Sequence, residues 1–85
     1  MKILERMNIM LSNGRVVEDV LKLGYDKNGN RRYGLHYTYV SFDKDEAHKL
    51  IKERIGAKKC RAKGYEDYFV FQSCNIIDSI EKAVK

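Results

Sequence analysis

Six cations, Arg31, Arg32, Lys58, Lys59, Arg61 and Lys63, occupy two short stretches that contain no acidic residue. Residues 31–42 hold two basic and no acidic side chains, and residues 57–64 hold four and none. The remaining segments nearly balance, so the formal charge of +5 and the pI near 9.3 come mainly from these two places. Clustered cations of this kind neutralise phosphates and release condensed counterions, which drives sequence-independent binding to nucleic acid. Tyr33 and Tyr65 flank the two stretches and are candidate supports on which bases could stack. The same charges also serve solubility and keep sheet edges from aggregating.

Other chemistry lacks its residues. His36, His48, Cys60 and Cys74 offer no pair at metal-ligand spacing. No G-x-S-x-G is present, and the three serines, Ser12, Ser41 and Ser73, fall at element ends where turn or cap duty accounts for them. Glycine loops that cradle phosphates are also missing. The acidic pairs Glu18-Asp19 and Glu66-Asp67 are sequence neighbours, which on a strand point to opposite faces, and they read as solvent-facing charges. The expectation is a non-enzymatic protein without metal or cofactor.

Eighty-five residues, 44% of them hydrophobic, suit a single domain spanning residues 1–85. No apolar run approaches the roughly 20 residues needed to cross a bilayer. The charge pair Glu5-Arg6 interrupts the place where a secretory signal needs its apolar stretch, and two cysteines are too few for a disulfide framework. These features imply a cytoplasmic location and no membrane partner.

The elements that must position the cations can be read from periodicity. Tyr33, Leu35, Tyr37 and Tyr39 alternate with His36, Thr38, Val40 and Phe42, which predicts a strand over about 31–42. The tyrosine face suits half-buried packing against a helix better than a base-stacking platform. Asp26-Lys27-Asn28-Gly29-Asn30 supplies turn residues for a hairpin back to Leu21–Tyr25. Asp43 as a cap, Glu46 three residues later and Gly56 as a terminator bound a helix over 43–55, with Ala47, Leu50, Ile51 and Ile55 as its apolar stripe and His48 on its exposed side.

Tyr65–Gln72 reads as a central strand, with Ala57–Ala62 paired to it through Lys63-Gly64. Asn75 caps a short terminal helix. The first 24 residues fit two patterns. Asn13-Gly14 favours a hairpin of Met7–Leu11 with Arg15–Val20, whereas Ile3, Leu4, Met7, Met10, Leu11 and Val16, Val17, Val20, Leu21 also fit helical faces. Strands over 7–22 are preferred. The expected fold is α+β, a small antiparallel sheet of four to five strands covered by one amphipathic helix, with a short C-terminal helix.

A strand of about 12 residues rises about 3.3 Å per residue, and the helix returns only about 1.5 Å per residue. Residues 57–63, if extended, make up the difference and bring Lys58–Lys63 level with Arg31-Arg32, so that the two stretches form one patch. The partner expected for that patch is nucleic acid or an acidic protein surface. A rival expectation is a small inhibitor or adaptor, of the sort viruses and mobile elements encode, that binds a protein through an exposed sheet face or edge, a surface that would equally suit self-association into a homo-oligomer.

The junction Phe42-Asp43-Lys44-Asp45-Glu46-Ala47 resembles that of the three-stranded-sheet-plus-helix arm-binding domains of tyrosine recombinases. The resemblance covers under half of the chain. The extra strand and terminal helix depart from that pattern, and no residue role is carried over.

Overall fold

The computed structural model describes residues 2–85. Five antiparallel strands, β1 (Ile3–Met10), β2 (Val16–Tyr25), β3 (Arg31–His36), β4 (Lys58–Lys59) and β5 (Tyr68–Ser73), form one sheet in the order β1-β2-β3-β5-β4. Two helices accompany it, α1 (Lys44–Ile55) and α2 (Ile76–Ala83). The α+β class, the order of elements and both helix caps agree with the sequence expectations.

Local chemistry explains each boundary. Asp43 Oδ1 accepts the Glu46 amide at 2.9 Å at the start of α1, and Gly56 ends it in the left-handed region at φ 72°. Asn75 Oδ1 accepts the Asp78 amide at 3.1 Å to begin α2. Gly14 and Gly29, at φ 85° and 83°, close the two hairpins.

Both sheet faces are covered. Leu35, Phe69 and Phe71 point to one side and bury Ala47 and Ile51 of α1 with Ile80 and Ala83 of α2. On the other side Leu21, Leu23 and Tyr68 pack with Cys60, and the 60–67 segment lies over them through Ala62 and Tyr65. Gly34 sits where this second layer is tightest, since a Cβ there would lie 3.0 Å from Leu21 Cβ and Cδ1. Leu21 is fully buried and has little room to retreat. Gly34→Ala should therefore lower stability by about 1–3 kcal/mol, read as a reduced midpoint at unchanged slope in urea unfolding.

Three expectations need correction. The strand expected over 31–42 stops at His36, where its ladder with β5 ends, and a 3-10 turn follows over Tyr37–Tyr39. That turn is fixed by Tyr37 N–H donating to the Asp67 carbonyl at 3.0 Å and by His36 Nδ1 beside Thr38, and it drops Val40 into the core while leaving Phe42 89% exposed. The strand expected over 57–62 forms its ladder only at Lys58–Lys59, and the strand expected over 65–72, interior to the sheet as expected, begins at Tyr68. In addition, β1 begins at Ile3, earlier than Met7.

The ambiguity of the first 24 residues has a physical cause. Met7 pairs with Val20 and Ile9 with Val17, so one residue of β1 faces two of β2, a β-bulge at Glu18-Asp19 with Asp19 at φ 58°. The extra residue lets Val17 and Val20 face the same core although they are three apart. The result is helix-like spacing within a strand.

Candidate nucleic-acid interface

Register decides which cations meet. Arg32 and Arg31 are adjacent on β3, so their side chains leave on opposite faces. Gly34 lies across from Val70 of β5, and Val70 lies across from Lys58 of β4. Lys58 therefore shares a face with Gly34 and Arg32, two strand spacings away, roughly 10 Å. Lys59 takes the helix side, where its Nζ lies 3.6 Å from Asp45 Oδ1 of α1.

Beside the edge of β5, where β4 leaves it, these groups enclose a half-open concavity of about 700 Å³. Arg32, Lys58, Lys59 and Arg61 line it together with His48, Gly56, Val70, Phe71 and Gln72, and no carboxylate is among the lining residues. Among the described residues no ion pair involves Arg32, Lys58 or Arg61. Arg32 is held in place by Nε donating to the Gly24 carbonyl at 3.2 Å.

The other four sequence candidates lie outside this concavity. The Arg31 guanidinium stacks on Tyr25, 3.9 Å from the ring centroid, and donates to the Leu23 carbonyl. Lys63 is exposed in the turn closed by Gly64. Tyr33 packs into the helix-side core with its ring 5.8 Å from Phe71. Tyr65 accepts a hydrogen bond from Arg6 at 2.8 Å and rests against Tyr68. The convergence of Arg32 with 58–61 comes from the β3-β5-β4 register, since β3 is half the length that the sequence argument assumed.

Two groups escaped the sequence reading. His48, expected on the exposed side of α1, is half-buried with its ring 5.5 Å from Phe69 and forms part of the concavity wall. The available signal was its spacing, three before Ile51 and seven before Ile55, which sets it on the flank of the apolar stripe. Asp19, expected to face solvent, is the centre of a polar cluster. It accepts from Arg6 at 3.1 Å and from the Tyr68 hydroxyl, and Arg6 also covers the Tyr65 ring. This cluster ties the 60–67 segment, and with it Arg61, to β1 and β2. Asp67 is likewise engaged, by Lys44 at 2.8 Å, and that ammonium holds its carboxyl below the usual range.

Burial, followed by the hydrogen bond to Asp19, pushes the Tyr68 phenol up to about 12. A phenol raised above its unfolded value of about 10 keeps its full contribution below that pH and loses it as the pH climbs from about 10 to 12. A shift of this size corresponds to about 2–3 kcal/mol. Urea unfolding across that window should show the loss, and Tyr68→Phe should flatten it.

Among the described residues no helix is long and apolar enough to cross a membrane, and no three His, Cys, Asp or Glu side chains come together as a metal site. No curated protein and no solved structure matches the chain. The model of one family, described as Staphylococcus phage terminal repeat-encoded protein TreK, matches residues 14–85, a span that takes in β2 through α2 and every residue of the concavity. By that match the chain belongs to the TreK family of phage proteins.

Proposed function

We propose that this protein is a non-enzymatic binding module that engages nucleic acid backbone through the concavity between β3, α1 and β4. The observation that carries this reading is the gathering of Arg32, Lys58, Lys59 and Arg61 around one recess with no carboxylate in its lining. Such a site attracts phosphates electrostatically, with affinity that weakens steeply as salt displaces the released counterions. Membership in a phage protein family fits a small accessory protein of this type. Fluorescence anisotropy with a labelled oligonucleotide at low salt tests it. Saturable binding that weakens with added salt is expected, and no binding at low salt would remove the reading.

A second reading, an inhibitor or adaptor that binds another protein, is favoured by one feature. Met10 and Val16 pair across β1 and β2 and are 65% and 43% exposed. An apolar pair at a sheet edge suits a protein partner. A stoichiometric complex that survives nuclease treatment and is lost in Met10→Asp would favour this reading over the first.

A further inference from the structure

We infer that the concavity takes one nucleotide unit of a single strand, with its phosphates on Arg32 and Lys58 and its base against Val70, Gln72 and His48. This inference rests on the nucleic-acid reading and narrows it to a strand type. The shape of the recess favours a single strand. About 700 Å³ falls within the roughly 300–1,000 Å³ of recesses that enclose a small molecule. A duplex carries its phosphates on a convex surface and keeps its bases inside, so it can touch the cations at the rim but cannot fill the recess. A single strand can turn one base inward.

The chemistry of the walls favours a base as well as a phosphate. Phosphate alone would need only the cations, yet the half-buried Val70 adds apolar surface for a base, and the polar side chains of Gln72 and His48 stand beside it. Gln72 is exposed and carries both donor and acceptor on its amide, the pair needed to meet the edge of a base. His48 Nδ1 is enclosed without a hydrogen-bond partner, so the ring can meet a ligand only along its Nε2 edge. Access comes from the shortness of β4, whose ladder with β5 covers Phe69 and Val70 and stops before Phe71 and Gln72.

Anisotropy of the full chain with a labelled oligothymidylate, and with a duplex of matched phosphate number, tests the inference at one low salt concentration. The single strand should bind roughly tenfold more tightly, the scale of one stacked base. Gln72→Ala and His48→Ala should each weaken single-strand binding by about fivefold and leave duplex binding and the salt slope unchanged. Gln72 is exposed, so its variant reports on binding even if His48→Ala loosens the packing on Phe69. Equal or tighter duplex binding, with neutral effects of the variants, would overturn the single-nucleotide seat and leave the backbone reading standing. Failure of both nucleic acids to bind at low salt would instead remove the backbone reading itself.

Discussion

Exchanging Lys58 and Arg61 for Glu together should reduce nucleic acid affinity on the order of 100-fold at low salt while leaving the fold intact. Both side chains are exposed, so neither removes core contacts. The wild-type slope of log K against log salt should be about −2 to −3 on a single strand and about −3 to −4 on a duplex, the values for three to four neutralised phosphates. Two reversals both remove contacts and repel the phosphates that the remaining cations would hold, so the slope of the variant should fall toward zero. A matched reversal of Arg15 and Lys85, which lie together at the far hairpin beside α2, should leave binding unchanged. Anisotropy across a salt series measures both quantities, and circular dichroism confirms that each variant is folded.

Replacing Asp19 by Val should cost about 3–5 kcal/mol, the largest single-residue effect expected outside the core. Two terms add. A β-branched residue at φ 58° is strained by more than the ~1–2 kcal/mol typical of the left-handed region. Loss of the charged acceptor also leaves Arg6 and the buried Tyr68 hydroxyl without their partner, about 1–3 kcal/mol. Asp19→Gly should carry only the second term, and Asp19→Asn, which tolerates this backbone and keeps an acceptor, should cost about 1 kcal/mol. Urea unfolding of the three variants separates backbone strain from the lost hydrogen bonds. If Val and Gly proved equally costly, the bulge would not constrain the backbone as described.

Much of the fold is legible in the sequence because local chemistry fixes it. Asp43, Gly56 and Asn75 mark helix ends by satisfying or releasing backbone groups, and Asn13-Gly14 marks a hairpin, wherever the elements finally pack. The end of β3 was less legible, since alternation continues from Tyr33 to Phe42 although the ladder ends at His36↔Tyr68. Strand length there is set by a partner far away in sequence. The bulge at Asp19 set a helical pattern beside the strand reading of β2, because an added residue turns period two into a spacing of three.

The candidate site was legible in its charges and not in its walls. Arg32, Lys58, Lys59 and Arg61 are legible as cations, but alternation on β3 sends Arg31 and Arg32 to opposite faces although they are neighbours in sequence. Tyr33 and Tyr65 were candidate supports for bases, but Tyr33 packs into the helix-side core, as the tyrosine face suggested, and Tyr65 is engaged by Arg6. Gln72 and His48 are unremarkable in sequence and meet only because β5 and α1 flank the same recess.

The gathering of these cations into one phosphate-binding surface is tested most directly by amide chemical shifts during titration with an oligonucleotide. Residues 58–61, Arg32 and 70–72 should shift together along one saturation curve, with little change at 12–15 and 81–85. Shifts confined to the exposed Met10 and Val16 region, or scattered evenly over the basic residues, would contradict the account.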